Sequence, residues 1–165
     1  MTSVSPQIRH AKVGDAHLLA ECHVACWREA YGSVLPPERL AELTGDLEAR
    51  ARRWLDILRT EPRRTWLASD KGLVRGFAST GPARDEDMAH LPELYALYIR
   101  ASEYGTGLAD QLVQPAIGSA SAYLWVAAAN PRALRYYEKI GFRLDGDSKI
   151  DHWFGGIREV RMVRA

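Results

Sequence analysis

The residues with the clearest capacity for chemistry form a glycine-spaced turn. They are Tyr104, Gly105, Thr106, Gly107, Leu108 and Ala109. The turn follows a strand-like apolar run at residues 93–99 and leads into a helical run that begins at Leu108. Such a turn leaves backbone N–H groups unpaired at the positive end of a helix dipole. Because Gly105 and Gly107 carry no side chain, an anion can approach that backbone closely. The turn therefore predicts a site for a phosphorylated ligand.

Two common nucleotide-binding motifs do not fit this turn. A dinucleotide fingerprint requires a third glycine at the position that Asp110 occupies. A Walker loop requires Gly-Lys-Ser/Thr, which the chain lacks. An ordinary tight turn is the remaining alternative interpretation of the glycines.

A second candidate region begins at Asn130-Pro131, where a capping residue precedes proline, as is typical of a helix start. Tyr137 lies seven residues after Asn130, two turns along the same helix face. Both side chains could therefore contact one extended ligand. Alternatively, Asn130 only caps the helix and Tyr137 packs in the core beside Ala133 and Ile140.

The elements around these residues predict a mixed sheet with helices on its faces. Predicted strands cover residues 8–11, 65–69, 73–79, 93–99, 122–128, 142–150 and 159–164, the second and third forming a hairpin. Predicted helices cover residues 16–31, 37–59, 108–119 and 131–140, with Gly45 interrupting the second and Pro115 kinking the third. The expected fold is therefore α/β (or α+β), with a six- to seven-stranded sheet and about four helices in one domain over residues 1–165, core 8–164.

Bulk composition excludes several classes of function. The chain has 165 residues, is 47% hydrophobic and carries a formal net charge of +1, which favours neither nucleic-acid nor membrane binding. Cys22 and Cys26 are too few for a disulfide framework. With His23 they lack a second group of ligands at useful spacing, so no metal site is expected. There is no signal-like start and no apolar run of about 18 residues, so a cytoplasmic protein is expected.

Other charged segments receive structural interpretations. Asp15 is expected to cap the first helix. Residues 81–91 are expected to form a surface loop, and the charge-dense run 48–53 a solvated helix face. Arg63 and Arg64 could meet an anionic acceptor, on charge alone.

Four segments together resemble the GCN5-related N-acetyltransferase (GNAT) family. They are residues 8–16, similar to its first strand and helix start; 94–109, similar to its acetyl-CoA motif, Arg/Gln-x-x-Gly-x-Gly/Ala; 130–142, similar to its second motif; and 159–163, similar to its last strand. Their order and spacing carry the resemblance. One departure is Tyr104, which stands at the Arg/Gln position. The family uses the backbone amide there, so the side chain should be tolerated.

The resemblance implies an acetyltransferase that moves acetyl from acetyl-CoA to a primary amine of a small molecule or protein terminus. Because no Cys or Ser in the motifs is placed as a nucleophile, direct attack in a ternary complex is expected. The sheet should splay between residues 93–99 and 122–128 to admit the pantetheine arm, and a homodimer is possible because dimers are common in the family. A non-catalytic acyl-CoA-binding or sensor module is the alternative.

The resemblance also implies roles for individual residues. Expected cofactor contacts are backbone groups of Leu97, Tyr98 and Ile99, the six turn residues Tyr104, Gly105, Thr106, Gly107, Leu108 and Ala109, and the side chains of Asn130 and Tyr137. Tyr137, protonated at neutral pH with an ordinary pKa of about 10, could donate a proton to the departing sulfur. Glu93 could take the amine proton, directly or through water. The alternative for Glu93 is a solvated position at a strand edge.

Three aromatic residues are candidates for the acceptor pocket. Trp27 and Tyr31 stand at i and i+4 of the first helix and could form one wall. Trp153 lies beside two glycines between the last two strands, where family members often contact the acceptor. Ordinary core packing is the alternative for all three.

Overall fold

A computed structural model describes residues 5–152 and 155–165, so Trp153 lies outside the described residues. Within those ranges the elements are β1 Gln7–His10, α1 Ala16–Tyr31, α2 Pro37–Thr44, α3 Leu47–Thr60, β2 Arg64–Asp70, β3 Leu73–Gly81, β4 Glu93–Ile99, α4 Leu108–Ala116, β5 Ala122–Ala127, α5 Pro131–Lys139, β6 Arg143–Asp151 and β7 Ile157–Arg164. One-turn 3-10 segments lie at Val13–Asp15, Glu86–Met88 and Ala101–Glu103. The predicted mixed sheet with flanking helices is confirmed.

The strands form one sheet in the order β1-β2-β3-β4-β5-β7-β6. Neighbouring strands are antiparallel except β4 and β5, which are parallel. The predicted hairpin joins β2 to β3 through Lys71 and Gly72, whose φ angles are 50° and 78°. Two successive positive φ values match the right-handed twist of the flanking strands, so this turn fixes the hairpin register.

Helices cover both faces of the sheet. On one face, α1 and α3 pack on β2, β3 and β4 through a cluster that includes Leu19, Trp54 and Phe77. On the other face, α4 packs on the sheet around the fully buried Leu112. Because successive residues of a strand point to opposite faces, β4 turns Ala96 and Tyr98 toward α1 and α3, and Leu97 and Ile99 toward α4.

The interruption predicted at Gly45 is confirmed, because α2 ends at Thr44 and Asp46 begins α3, accepting a hydrogen bond from the Ala49 amide at 2.8 Å. The described part of the chain therefore has five α-helices, where about four were expected. The helix predicted to reach residue 119 ends at Ala116, one residue after Pro115, and Gly118 turns away with φ of 52°. Pro115 thus sits in the last turn rather than at a kink.

The loop at residues 82–91 lies at the surface, as predicted, and ion pairs bind it to the sheet. Arg161 of β7 is buried and forms ion pairs with Asp85 and Asp87 of this loop, at 3.4 and 2.7 Å. It also pairs with Asp145 and Asp147 of β6, at 2.7 and 3.2 Å. Four carboxylates thus surround one buried guanidinium, and the hydrogen bonds to Asp87 and Asp145 raise the pKa of Arg161 further above its ordinary range.

The start of α1 depends on an ion pair. Asp15 is the N-cap residue, but its side chain bonds to Arg9 instead of the helix amides. Two Arg9 nitrogens donate to the carboxylate at 2.7 and 2.8 Å, and the Lys12 amide donates at 2.7 Å. These hydrogen bonds of the Asp15 carboxylate join the end of β1 to the beginning of α1.

We expect Asp15→Asn to lower the free energy of unfolding by about 2 kcal/mol at neutral pH, because a charge-assisted hydrogen bond is lost. The Arg9 hydrogen bonds lower the pKa of Asp15 in the folded state. This contribution is therefore present above the ordinary Asp pKa of about 3.9 and is lost as pH falls through the folded value. Urea unfolding at neutral and acidic pH measures this, with the exposed Asp56→Asn as control. A stability difference independent of pH would contradict the assignment.

Candidate active site

The sheet splits between β4 and β5, as predicted. The two strands pair only at Glu93–Tyr123 and Leu94–Leu124, whereas β4 stays paired with β3 as far as Ile99. The register of β3 against β4 shifts so that Tyr95 has no partner, which is a β-bulge at the point where the strands separate. A bulge bends and twists its strand, so it carries the rest of β4 away from β5.

The separation opens a cleft of about 1510 Å³. Beyond Leu94, the edge of β4 that faces β5 has no strand partner in the described part of the chain, so its backbone N–H and C=O groups are available. Leu97, Tyr98 and Ile99 all line this central cleft. An extended ligand could therefore pair with β4 as an added strand would.

The glycine turn lies at the carboxyl end of β4. Gly105 and Gly107 have φ angles of 76° and 85°, and the space where each Cβ would lie is open. The first hydrogen bond of α4 runs from the Gln111 amide to the Gly107 carbonyl, so the amides of Leu108 and Ala109 have no acceptor within the helix. These four residues line the cleft and form what we call the glycine end.

Two other residues of the turn play different parts. The amides of Tyr104 and Thr106 already donate to the carbonyls of Ala101 and Glu103, at 3.2 Å each. Thr106 is absent from the cleft lining, and its hydroxyl donates to Glu103 as well. Tyr104 lines the cleft and its ring lies 3.7 Å from the Arg132 guanidinium carbon. Of the six predicted contacts, two therefore have their amides committed within the turn.

Helix α5 and its cap residue line the cleft across from the glycine end. Asn130 caps the helix, accepting from the Ala133 amide at 3.1 Å, and it also interacts with Tyr31. Tyr137 is buried and lines the cleft. Its hydroxyl makes no hydrogen bond to any other residue in the described ranges. Burial raises the pKa of Tyr137, with a smaller contribution from Tyr31, so the phenol stays protonated.

Two aromatic residues of α1 form part of the cleft wall. Trp27 and Tyr31 are buried, their ring centroids are 4.6 Å apart, and both line the cleft. Trp27 Nε1 donates to the Tyr98 hydroxyl at 2.9 Å. Each residue thus belongs both to the packed core and to the cleft wall.

Glu93 is not at a solvated strand edge. Its side chain is 1% exposed and does not line the cleft. The carboxylate accepts from the Arg84 guanidinium at 2.6 and 3.1 Å, from the Arg84 amide at 3.1 Å and from the Tyr123 hydroxyl at 2.8 Å. Through these four hydrogen bonds Glu93 joins the 82–91 loop to the paired start of β4 and β5.

Glu159 is the carboxylate that sequence reasoning missed. It lies on β7 opposite Ala127 of β5 and lines the cleft. Burial raises the pKa of Glu159, and Lys149, at 3.8 Å, only partly opposes this. A signal was present in the sequence, because Glu159 and Arg161 alternate with the apolar Val160 and Met162 and so share one face of a strand.

Three arginines line the cleft near the amino end of β4 and along α3. Arg50, within the run expected to be solvated, is half-buried, as is Arg63. Arg84 completes this group, which we call the arginine end. Arg64, the other arginine considered with Arg63, is exposed and does not line the cleft.

The sequence model of the Acetyltransferase (GNAT) family matches residues 21–142. The chain belongs to the GNAT family. This GNAT chain is 30% identical over 136 residues to the uncharacterized N-acetyltransferase YuaI of Bacillus subtilis, covering 78% of this chain and 76% of that one. It is 29% identical over 150 residues to the probable N-acetyltransferase Rv2775 of Mycobacterium tuberculosis, covering 85% and 81%. The chain is therefore an acetyltransferase, and acetyl-CoA is the family's co-substrate.

Solved structures share the GNAT fold along their whole length. The PaiA N-acetyltransferase from Thermoplasma acidophilum, solved with coenzyme A, matches with a TM-score of 0.72 at 17% identity, covering 98% of this chain and 99% of that one. The ribosomal-protein-alanine N-acetyltransferase from Brucella melitensis matches with a TM-score of 0.69 at 24% identity, covering 96% and 98%. At these identities the likeness establishes the fold alone.

The described residues contain no group of three or more His, Cys, Asp or Glu side chains arranged to hold a metal ion. Cys22 and Cys26 are buried with their sulfurs 3.9 Å apart. In the same residues, none of the helices combines the length and apolar character needed to span a bilayer.

We expect Gly107→Ala to weaken acetyl-CoA binding without unfolding the protein. A left-handed alanine costs about 1–2 kcal/mol, so the helix start should shift toward another φ and misdirect its amides. Wild type should gain roughly 2.7 kcal/mol of stability at 100 times the dissociation constant, read as a melting shift. Gly146→Ala is the matched control, because Gly146 also has a positive φ, of 97°, and open space at its Cβ, but lies on β6. Equal melting shifts in both variants would contradict this role for the glycine end.

Proposed function

We propose that this GNAT chain transfers the acetyl group of acetyl-CoA to a primary amine by direct attack in a ternary complex. The observation that carries the proposal is the edge of β4, which beyond Leu94 has no strand partner in the described part of the chain and borders the same cleft as the glycine end and Tyr137. The chain thus offers a backbone edge for a pantetheine arm, amides for a pyrophosphate and a proton donor for a sulfur.

The proposed cofactor contacts follow from this arrangement. Amides of Gly105, Gly107, Leu108 and Ala109 receive the pyrophosphate at the start of α4. Backbone amides within Leu97, Tyr98 and Ile99 form hydrogen bonds with the amides of the pantetheine arm. One of these N–H groups would polarise the thioester carbonyl. Arg132, held over the Tyr104 ring, adds a positive charge beside the phosphates. Tyr104 therefore contributes by positioning Arg132, although it lacks the usual Arg/Gln side chain.

Proton transfers at two side chains complete the reaction. The amine nitrogen bonds to the acetyl carbon, the carbon–sulfur bond breaks, and the thiolate takes a proton from the Tyr137 hydroxyl. The proton lost by the amine goes to Glu159, which we assign as the base in place of Glu93. Release of that proton to solvent and reprotonation of Tyr137 restore the starting state.

Glu159 fits the role of base because of its surroundings. Its carboxylate lines the cleft and acts electrostatically on Tyr31 and Tyr98, and Tyr31 acts in turn on Tyr137. A raised pKa makes a carboxylate a better proton acceptor near neutral pH than an exposed glutamate would be.

We expect Tyr137→Phe to lower kcat about 100-fold, the size typical of a lost general acid, with little change in cofactor affinity. CoA release in the presence of an amine panel measures turnover, and the melting shift with acetyl-CoA measures binding. Tyr136→Phe is the control, because it removes a neighbouring hydroxyl that bonds to Asp110 at 2.9 Å. Unchanged kcat in Tyr137→Phe would remove Tyr137 from the mechanism. A wild-type protein that binds acetyl-CoA and releases no CoA with any amine would favour the acyl-CoA-binding module.

We expect Glu159→Gln to lower kcat/KM about 100-fold and to remove the acidic limb of its pH profile. Burial raises the pKa of Glu159, so wild-type activity should rise with pH through a value above the ordinary Glu pKa of about 4.3. Steady-state rates across pH test this, with the exposed Glu86→Gln as control. An acidic limb that persists in Glu159→Gln would exclude Glu159 as the base.

A further inference from the structure

The charges of the cleft are divided between two walls. Arg50, Arg63 and Arg84 line one side, on α3 and at the amino ends of β2 and β4. On the other side Glu159 of β7 and Asp151 of β6 line the cleft with Lys149, which pairs with Glu159 at 3.8 Å, so this wall carries two carboxylates and one ammonium group. Tyr98 lies between them, because it interacts electrostatically with both Arg50 and Glu159. A molecule seated against β4 on the α1 and α3 face would touch a cationic and an anionic wall together.

Arg50 carries a positive charge that nothing in the described ranges neutralises. Its guanidinium donates to the Leu43 carbonyl at 2.8 Å and approaches His23 Nδ1 at 3.5 Å. No carboxylate of residues 5–152 or 155–165 lies within ion-pair distance of Arg50. Burial lowers the pKa of Arg50, which reflects the cost of holding this charge away from water. A half-buried guanidinium without a counter-charge is stabilised when an anion arrives.

His23 adds an unused donor beside Arg50. Burial, and secondarily Arg50, lowers the pKa of His23 to about 3, so the imidazole is neutral. Because a guanidinium can only donate, Nδ1 must be the accepting nitrogen, which puts the proton on Nε2. Nε2 is buried and has no hydrogen-bond partner in the described part of the chain, and His23 lines the cleft.

Two further guanidiniums contact Tyr95, the residue at the β-bulge. Arg63 and Arg84 lie over its ring, with their guanidinium carbons 4.7 and 4.5 Å from the centroid. Arg84 is compensated by Glu93. Arg63 pairs with Glu61, but Glu61 is shared with Arg53, and Nε of Arg63 is buried without a partner among the described residues.

The arginine end therefore carries more positive than negative charge. Its three arginines, together with the neighbouring Arg53 that also lines the cleft, pair with two carboxylates among the described residues, Glu61 and Glu93. Since Arg84 also acts on Glu159, the excess positive charge begins beside the proposed base. The amine and the anion of one small molecule could reach the two walls together.

Resting on the proposed function, we propose that the acetyl acceptor is a small zwitterion, an amine that also carries a carboxylate or phosphate. Its amine faces Glu159 and its anionic group binds the guanidiniums of Arg50 and Arg63. A carboxylate or phosphate matches the planar donor fork of arginine, and the two walls set its distance from the amine. An amine without the anion would leave the arginine charges uncompensated and bind more weakly.

The test compares matched acceptors. A series of ω-amino acids of increasing chain length is assayed beside the corresponding carboxamides and diamines, with ethanolamine phosphate beside ethanolamine as the phosphate arm. We expect kcat/KM about 10- to 100-fold higher for the anionic member of a pair, as for a charge-assisted hydrogen bond gained. The best chain length reports the distance between the walls, and the two arms distinguish carboxylate from phosphate. Equal or higher values for the uncharged members would overturn the proposal.

Arginine variants test the assignment of the anion site. Arg63→Gln and Arg50→Gln should each raise KM for the preferred anionic acceptor about 10-fold or more relative to KM for the matched carboxamide. Arg63→Lys should restore part of the loss. The exposed Arg59→Gln on the same helix as Arg50 is the control. Because Arg50 also bonds to Leu43, Arg63→Gln keeps the test valid if the Arg50 variant is unstable. Equal losses for charged and uncharged acceptors would overturn the anion site.

A binding measurement separates this proposal from the proposed function. Acceptors are titrated into the CoA-loaded protein and followed by the fluorescence of Trp27, Trp54 and Trp125, which line the cleft. Anionic members should bind about 10-fold or more tightly than their carboxamides, and Arg63→Gln should abolish the difference.

The outcomes separate the two proposals. A protein that acetylates uncharged amines and shows no preference for anionic acceptors would support the proposed function and refute the zwitterionic acceptor. No melting shift with acetyl-CoA and no CoA release would refute the function itself, and a preference lost in Arg63→Gln would still support the anion site. Failure of every anionic acceptor to bind would overturn the proposed anion site.

Discussion

The site depends on one break in backbone pairing. After Leu94, β4 leaves β5 but keeps β3, and the bulge at Tyr95 turns it away. A fully paired sheet would place β5 against the edge that now borders the cleft. Because of the bulge, a few hydrogen bonds between β4 and β5 are not formed. The N–H and C=O groups along that edge of β4 are therefore available to a ligand. It also brings Tyr95 between Arg63 and Arg84, so the same distortion shapes the arginine end.

Ion pairs connect the elements that border the cleft. The buried carboxylate of Glu93 joins Arg84 to the last paired residues of β4 and β5, at the point where the two strands separate. Glu29 of α1 accepts from Arg100 at 2.9 Å and from the Ala101 amide at 2.8 Å, directly before the glycine turn. Removing a partner from a buried carboxylate costs free energy, so the Glu93 contacts resist movement of the 82–91 loop.

Local signals accounted for the features that the sequence predicted well. The hairpin at residues 71–72, the cap at Asn130 and the left-handed glycines of the turn each depend on a few adjacent residues. The missed features depend on residues far apart in the chain. Arg161 pairs with aspartates from two separate segments, and Glu159 acts electrostatically on tyrosines of α1 and β4. Only the folded chain brings these groups near one another. Glu93 shows the same limit, because its partner Arg84 lies in a segment that the sequence predicted only as a surface loop.

Strand β6 lies at the end of the sheet and is almost entirely exposed. An exposed edge strand is a template on which other chains can add and aggregate. Here the pairing with β7 is interrupted between Leu144 and Ser148, and Gly146 bends the strand there. Asp145 and Asp147 flank that bend and carry the charges that pair with Arg161. The residues that fix the 82–91 loop therefore also make this border of the sheet a poor surface for edge-to-edge association, which protects the solubility of the folded chain.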